Sequence, residues 1–280
     1  MIRLYQKNDE VGINKLFKAV FNKERSIEEW KWKFETLGAE NPIIVVFEEN
    51  GEIIGHAACI IYEDKIAERV DIMVHPSHQG KGIYKQIVLR MVEELESRQI
   101  HNVYGFPAEV AKAAFIKYGK ATDLGNIALM LSPKLFPSKK QDWLPIKDAD
   151  LEKLSTYQTS LNEIHVNRSA EFLKQRFALH PTRDYFVYES EGNGYAIVRF
   201  EGNKTHLLDV VGPNLKAVLK DIKKRINTRF LISWAVKDSH YYKALKGSLF
   251  FHIKSPMPLV VKQQHKDAKW HLTQADVDSF

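Results

Sequence analysis

The strongest constraint on the fold is an internal repeat that spans the 280-residue chain. Val74–Pro76 corresponds to Val211–Pro213, 137 positions later, whereas Gly119 corresponds to Gly247, only 128 positions later. About nine residues are therefore missing from the second copy, and we expect the loss directly after Pro213. Self-similarity of this kind is typical of a duplicated structural unit.

The repeat predicts two domains, residues 1–137 and residues 138–280, separated by the polar segment Pro137–Pro145. The charge divides at the same place, because the first domain carries a net charge of −1 and the second a net charge of +7. Part of that excess has helical spacing at Lys216, Lys220, Lys223, Lys224 and Arg225. A solvated helix face is the simpler reading. Nucleic-acid binding is the alternative, and no helix-turn-helix or zinc pattern supports it.

The hydrophobic pattern of the first copy predicts an α/β order of elements. A capping box at Ser26 and Glu29 opens the second helix, and Asn50-Gly51 predicts a tight hairpin turn. The predicted elements are strand Ile2–Tyr5, helices Asp9–Asn22 and Ile27–Thr36, strands Ile43–Phe47, Glu52–Ile61 and Glu68–Val74, helix Lys81–Arg98, strand Val103–Phe106, helix Val110–Tyr118 and strand Asn126–Leu131. The apolar face of the Lys81–Arg98 helix is expected to include Ile83, Ile87, Leu89, Val92 and Leu95.

Cysteine and hydropathy patterns exclude several classes of protein. Cys59 is the single cysteine, so neither an intrachain disulfide nor a thiolate metal cluster is expected, and the histidine spacing predicts no metal site. No apolar run approaches the roughly 18 to 20 residues of a membrane span. The first residues, Met1–Tyr5, do not resemble a secretory signal. We therefore expect a cytoplasmic protein.

The segment missing from the second copy carries the chemistry. Gly80 and Gly82 lie between a predicted strand and a predicted helix, where successive backbone N–H groups turn inward and bind an anion such as pyrophosphate. The loop is not a Walker loop, because Ile83 follows Gly82. It is not a dinucleotide fingerprint either, because Lys85 stands where the third glycine would be.

This stretch resembles the coenzyme A loop of the GCN5-related N-acetyltransferase (GNAT) superfamily. The family pattern is a strand ending in Val-x-Pro, then Gln or Arg, two residues, Gly, one residue, and Gly or Ala. Val74–Pro76, Gln79 and Gly82 match it, and Tyr84 departs from the final small residue. The resemblance implies two tandem GNAT-like domains, each a mixed, mostly antiparallel sheet flanked by helices. The second domain would be a degenerate copy that lacks the pyrophosphate loop.

The resemblance also implies how coenzyme A is held. The backbone of Met73 and Val74 would pair with the pantetheine arm, and the amides of Gln79 to Tyr84 would hold the pyrophosphate. The strands Glu68–Val74 and Val103–Phe106 would splay apart to admit the thioester, and the helix Val110–Tyr118 would line the other side of the coenzyme. The implied coenzyme-binding residues are Met73, Val74, Gln79, Gly80, Lys81, Gly82, Ile83, Tyr84 and Phe115.

The implied reaction is direct transfer of an acetyl group from acetyl-CoA to an amine in a ternary complex. The acceptor would be a small molecule or a peptide. A base must take a proton from the ammonium group, and Glu68 matches the general-base glutamate of histone-type members. Strand alternation predicts Glu68 on the same face as Val74 and Asp71 on the opposite face. Asp71 and His75 remain alternative bases.

The acid that protonates the leaving thiolate is less evident. Many family members place a tyrosine four residues before a glycine in the helix after the fifth strand, and that position, counted from Gly119, is Phe115. Tyr118 and Tyr104 are the remaining candidates. The missing tyrosine also supports an alternative function, a regulatory module that binds acyl-CoA without turning it over.

Aromatic residues near the start of the chain have two expected roles. Trp30 and Phe34, four residues apart, are expected to pack together in the core, whereas Trp32 points elsewhere and is a candidate for lining the acceptor pocket. His56 and Cys59 are expected to be core residues.

Overall fold

A computed structural model describes residues 1–134, 143–255, 257–265 and 267–277. The chain divides into two compact units. Unit 1 consists of Met1–Gly125 and Met257–Lys266, and unit 2 of Asn126–Pro256 and Asp267–Phe280.

Unit 1 contains a seven-stranded sheet among the described residues, with helices on its faces. In spatial order the strands are β1 (Ile2–Leu4), β2 (Glu40–Glu49), β3 (Glu52–Tyr62), β4 (Ile66–Val74), β5 (Asn102–Gly105), β15 (Pro258–Lys262) and β6 (Thr122–Asn126). The helices are α1 (Asp9–Phe21), α2 (Ile27–Lys31), α3 (Ile83–Ser97) and α4 (Glu109–Gly119). Neighbouring strands from β1 to β4 are antiparallel, β4 and β5 are parallel, and β5 and β15 are antiparallel.

Local sequence signals explain most of these elements. Ser26 and Glu29 form the expected capping box, with reciprocal bonds of 3.0 and 3.1 Å between side chain and backbone. Asn50 and Gly51 both have positive φ, as the hairpin between β2 and β3 requires. Helix α2 continues as a π-helical turn over Trp32–Thr36. The predicted helix Ile27–Thr36 therefore has the correct length, but its second half is π-helical and not α-helical.

Helix α3 packs its apolar face on the sheet, and this packing builds the core of unit 1. Ile87, Val88 and Met91 are completely buried against β2, β3 and β4. The prediction was wrong for Leu89, which is 36% exposed, because the true helical face passes through Val88 and Met91. Trp30 and Phe34 pack together as expected, with ring centroids 5.2 Å apart.

Unit 2 repeats the order of unit 1 around a second seven-stranded sheet of described residues. In spatial order its strands are β14 (Phe251–Ile253), β7 (Ala128–Pro133), β13 (Phe230–Ala235), β12 (Lys204–Val211), β11 (Gly194–Glu201), β10 (Phe186–Ser190) and β8 (Leu144–Pro145). Its helices are α5 (Leu151–Ser155), α6 (Ala170–Leu173), α7 (Leu215–Arg225) and α8 (His240–Gly247), and a two-stranded sheet joins β9 (Glu163–Ile164) and β16 (Lys269–Trp270). Strands β12 and β13 are parallel, as β4 and β5 are in unit 1.

Each unit takes one strand from outside its own half of the sequence. Strand β15 pairs with β5 in unit 1, and strand β7 pairs with β13 in unit 2. The expected division of the strands between residues 1–137 and residues 138–280 was therefore wrong for these two strands, because hydropathy identifies a strand and not its partner. The predicted strand Asn126–Leu131 is in fact the end of β6 and most of β7. The predicted boundary at residue 137 lies outside the described residues.

The second copy is shortened in two places. Three residues, Gly212–Asn214, join β12 to α7, whereas residues 75–82 join β4 to α3. Helix α7 has 11 residues, whereas α3 has 15. The loss expected directly after Pro213 is therefore divided between the loop and the helix.

Much of the basic face expected on α7 serves the fold of unit 2. Lys223 donates to the carbonyl of Ser248, and the Arg225 guanidinium lies 4.1 Å from the centroid of the Tyr188 ring. Lys224 forms an ion pair of 3.2 Å with Asp221. These contacts weaken the reading of this helix as a nucleic-acid surface.

Candidate active site

The loop between β4 and α3 is exposed from Gln79 to Gly82. Pro76–His78 forms one 3-10 turn, and Gly80 and Gly82 follow with φ of 78° and 77°. Both glycines are exposed, and a Cβ added at either would meet nothing within 4 Å. The positive φ angles explain why glycine stands at both positions.

Helix α3 starts directly at this loop without a side-chain cap. Gly82 is the residue before its first turn and makes no side-chain cap bond, since glycine has none to offer. The first N–H groups of a helix have no partner within the helix, and they lie at the positive end of its dipole. This end of α3 can therefore receive an anion.

The corresponding helix of unit 2, α7, has a side-chain cap at its N-terminus. Asn214 precedes α7, and its side-chain oxygen accepts a bond of 3.1 Å from the Ala217 N–H. Three residues are too few to form a loop like that of residues 75–82. This difference supports the expectation of a degenerate second copy.

Strand β4 contains a β-bulge at Asp71 and Ile72. Its antiparallel pairing with β3 shifts between His56, opposite Met73, and Ala58, opposite Val70. Asp71 has a φ of 48°, in the left-handed region. A bulge of this kind reverses the alternation of side chains. Glu68 therefore lies on the face opposite Val74, and the prediction that they share a face was wrong.

The bulge lies where β4 separates from β5. Their parallel register runs from Ile66, opposite Asn102, to Arg69, opposite Gly105, and ends there. Beyond Arg69, no strand among the described residues pairs with this edge of β4. Met73 and Val74 lie on the unpaired stretch with side chains that are 2% and 8% exposed. The expected splaying of the two strands is present, and the edge offers main chain.

Glu68 is buried beside the end of the paired region. It is 1% exposed, and its Oε2 accepts a hydrogen bond of 3.1 Å from the Tyr62 hydroxyl. Tyr104, its partner on β5, is completely buried. A buried carboxylate next to a gap in the sheet is a candidate for proton transfer.

Asp71 is held as a carboxylate by two cations. Its side chain forms ion pairs with Arg25 and, at 2.7 Å, with Lys33, and all three side chains are less than 10% exposed. Burial alone would raise the pKa of Asp71, but Lys33 and Arg25 outweigh it and hold this pKa well below its usual range. This arrangement argues against Asp71 as a base and favours a structural role.

His56 completes this cluster from the neighbouring strand. Its Nδ1–H donates to the backbone carbonyl of Asp71 at 2.6 Å, and its ring is fully buried. Burial lowers the pKa of His56 to about 4, so the ring is neutral near pH 7. The expectation that His56 and Cys59 are core residues is confirmed, since both are 0% exposed.

Arg69 is the site residue that the sequence did not single out. Its Cζ atom lies 3.2 Å from the centroid of the Phe115 ring, on α4. A Cβ at Gly119 would overlap the Nη1 atom of Arg69, so glycine makes room for the guanidinium. The signal was a charged residue inside an apolar strand, next to Glu68.

Two of the remaining candidates, Tyr118 and Tyr84, lie on α4 and α3, and the third, His75, lies in the loop. Tyr118 is half-buried against the unit 1 core, with the Lys85 Nζ 6.0 Å from its ring centroid. Tyr84 is also half-buried, and burial raises the pKa of its hydroxyl. His75 lies at the other end of the loop, where its Nδ1 is 2.8 Å from the Ser77 hydroxyl.

The implied coenzyme residues divide by exposure. Gln79, Gly80, Lys81 and Gly82 are exposed, whereas Ile83 and Phe115 are 4% and 3% exposed. Trp32 is 6% exposed, so little of its surface is open to an acceptor.

Comparison with known proteins agrees with this geometry. Residues 1–119 match the acetyltransferase (GNAT) domain family. A search of curated protein sequences finds no significant match. Among the described residues, no helix is both long and apolar enough to cross a membrane.

Solved structures with the same fold cover both units. A conserved protein of Enterococcus faecalis V583, described as a probable N-acyltransferase, is 13% identical with a TM-score of 0.69, over 93% of this chain and 71% of that one. A GCN5-related N-acetyltransferase of Anabaena variabilis ATCC 29413 is 11% identical with a TM-score of 0.63, over 93% and 72%. A tandem GNAT protein from the clavulanic acid biosynthesis pathway is 14% identical with a TM-score of 0.60, over 93% and 97%.

The two units have the fold of two GNAT domains in tandem. Residues 1–119 match the acetyltransferase (GNAT) domain family, and the tandem GNAT fold of these solved structures extends over both units.

Proposed function

We propose that unit 1 transfers an acetyl group from acetyl-CoA to the amine of a small molecule or peptide, by direct attack in a ternary complex. The observation that carries this proposal is the exposed loop of residues 79–82, which adjoins both the uncapped start of α3 and the unpaired edge of β4. Phosphate-binding donors and an open strand edge are what the two parts of coenzyme A require.

The residues present fit the coenzyme. The amides from Gln79 to Tyr84 would bind the pyrophosphate, and the empty space in front of Gly80 and Gly82 leaves room for it. The main chain at Met73 and Val74 would pair with the pantetheine arm, because their buried side chains leave only backbone at that edge. Acetyl-CoA, as the donor substrate, supplies the activated acyl group.

Glu68 is the base in this proposal. An amine with a pKa near roughly 10 must lose a proton before it can attack a carbonyl carbon. Glu68 is buried at the point where β4 and β5 separate, whereas the Asp71 carboxylate is already paired with Arg25 and Lys33. Glu68 would accept the proton directly or through water.

A covalent acyl-enzyme is disfavoured by the state of the one cysteine. Cys59 is completely buried and lies 3.5 Å from the Met91 sulfur. Burial raises the pKa of the Cys59 thiol to about 12, so almost none of it is the nucleophilic thiolate near pH 7.

A second candidate function is the binding of acyl-CoA without turnover. Phe115 supports it, because this buried side chain has no hydroxyl where related enzymes carry a tyrosine. The two functions predict the same coenzyme affinity and differ in the release of free thiol.

Calorimetry with acetyl-CoA tests coenzyme binding. Gly82→Asp would add a negative charge beside the pyrophosphate and should weaken binding by at least about tenfold. Gly51→Asp is a matched control, because Gly51 has a φ of 79°, is exposed, and has nothing within 4 Å of an added Cβ. Both variants carry the same backbone strain and the same charge.

Only Gly82→Asp should lose affinity. Equal affinity in the parent and both variants would remove the loop from the coenzyme site, and no binding by the parent would overturn both candidate functions. Thiol release in the presence of polyamines, amino sugars or peptide amino termini would then distinguish the enzyme from the sensor.

A further inference from the structure

Two nitrogens of the buried Arg69 guanidinium have no hydrogen-bonding partner among the described residues. Arg69 is 7% exposed, and neither its Nε nor its Nη2 has a hydrogen-bond acceptor among the described residues. Its Cζ atom lies over the face of the Phe115 ring. A ring face attracts a cation, but it leaves the in-plane N–H groups unsatisfied.

Such a group is costly to keep in a folded protein. Burial lowers the pKa of Arg69 to about 10, and the side chain still carries its charge near pH 7. An apolar residue of similar volume would avoid the loss of hydration. The fold itself therefore gives no reason for arginine at this position.

The position of Arg69 supplies a reason. Arg69 is the last residue of β4 that pairs with β5, so its side chain begins where the two strands separate. Its guanidinium contacts Phe115 and Gly119 on α4. The backbone is also tightly packed against β5, because a Cβ added at Gly105 would lie 3.3 Å from the Arg69 carbonyl oxygen. Under the proposed function, the sulfur of coenzyme A would lie next to this gap.

We propose that Arg69 provides the positive charge that stabilises the thiolate of coenzyme A as it leaves. This inference rests on the proposed acetyl transfer. The amine nitrogen bonds to the carbonyl carbon, the carbon–sulfur bond breaks, and the sulfur keeps the electron pair. Glu68 accepts the ammonium proton and passes it to solvent, the nitrogen loses its second proton to solvent as the amide forms, Arg69 keeps its own proton, and the thiolate takes a proton from solvent after release. The acid missing at Phe115 is then unnecessary.

The test is the pKa of the thiol of bound coenzyme A, which requires no acceptor amine. Ultraviolet absorbance of the thiolate is followed through a pH titration of free coenzyme A, of coenzyme A with the parent protein, and of coenzyme A with Arg69→Met. An opposite charge within about 4 to 6 Å lowers a pKa by about one to three units. We expect a lowering of at least one unit with the parent and its loss with Arg69→Met.

Two further variants separate charge from shape. Arg69→Lys should keep most of the lowering, because it keeps the positive charge. Arg69→Met with Phe115→Tyr should recover part of it, because the new hydroxyl can donate to the thiolate. Thermal unfolding should show midpoints for Arg69→Met no lower than the parent, since an unpartnered cation has been replaced by an apolar side chain.

The outcomes separate this inference from the proposed function. Failure of the parent to bind coenzyme A would overturn the proposed function. Binding with an unchanged thiol pKa in parent and Arg69→Met alike would overturn the role of Arg69 and leave the function standing. A third outcome would also overturn the role of Arg69 at the thiolate. If the thiol pKa is unchanged and the parent prefers acyl donors that carry a carboxylate, and if Arg69→Met loses that preference, then Arg69 binds the acyl group instead.

Discussion

Arg25, the residue before the cap of helix α2, forms an ion pair with Asp71 at the bulge of strand β4. Unit 2 contains the same relationship. Arg168 precedes the Ser169 cap of α6, and its Nε is 2.6 Å from Asp209, beside the bulge of β12. A helix start is thus joined to a strand bulge by a buried ion pair in each copy.

The recurrence of this ion pair predicts that Asp71 holds unit 1 together. Asp71→Asn would leave Arg25 and Lys33 buried without a carboxylate, and the loss of one partner from a buried pair costs about 3 kcal/mol or more in the free energy of unfolding. Urea unfolding at pH 7 measures this loss. Since the pKa of Asp71 is held low, the difference from the parent should shrink only as the pH falls below about 4.

The control for this prediction is an ion pair at the surface. Lys15 and Glu52 are 2.9 Å apart, with side chains 77% and 67% exposed. Glu52→Gln should leave the unfolding midpoint unchanged, because water and salt screen exposed pairs. A similar loss in both variants would mean that the Asp71 cluster contributes no more than a surface contact.

His56 predicts a specific loss of stability in weak acid. Burial lowers its pKa from 6.5 to about 4, so the unfolded chain binds a proton that the folded protein excludes between these values. The free energy of unfolding should therefore fall by about 3 kcal/mol as the pH drops from 6.5 to 4, and the contribution of His56 should be constant below that.

A variant without the imidazole isolates this contribution. His56→Asn can still donate to the Asp71 carbonyl but has no proton to bind. His180 also titrates in acid, because burial lowers its pKa to about 3, and its contribution is common to both proteins. The difference in slope between parent and His56→Asn should equal about one proton across pH 4 to 6.5. If the free energies of unfolding of the two proteins change in parallel with pH, the predicted contribution of His56 is wrong.

Short-range signals in the sequence were sufficient for most elements of unit 1 up to α4 and for the loop. The bonds at Ser26 and the turn at Asn50 join residues at most three positions apart, so the residue types determine the geometry. The same holds for Gly80 and Gly82, whose positive φ angles follow from the turn that they form.

Long-range features were not predictable in this way. The bulge at Asp71 depends on the register of two strands, and the role of Arg69 depends on α4, which follows some 40 residues later. The placement of β7 and β15 depends on pairing with strands far away in the sequence, β13 and β5. None of these contacts leaves a periodic pattern in the amino-acid sequence.

Glu68 predicts a separation of catalysis from binding. Glu68→Gln keeps the size of the side chain and its bond from Tyr62 but cannot take a proton. With an acceptor amine that supports turnover, kcat should fall about 10² to 10⁴-fold, while the affinity for acetyl-CoA measured by calorimetry should not change. The remaining activity should rise with pH, as free amine replaces ammonium. Unchanged kcat would move the base to another group, and His75→Gln would be the next variant to measure.

The two helix starts predict that one chain binds one molecule of coenzyme A. Helix α3 begins behind an open glycine loop, whereas α7 begins behind three residues and is capped by Asn214. Calorimetry should give a stoichiometry of one, and Gly82→Asp should weaken all of the measured binding and not leave a site of parental affinity. Asn214→Gly removes the cap of α7 without adding a loop, so it should create no second site. Two sites in the parent, or a remaining site in Gly82→Asp, would show that a helix start without the glycine loop is sufficient for coenzyme binding, and the assignment of unit 2 as the degenerate copy would fail with it.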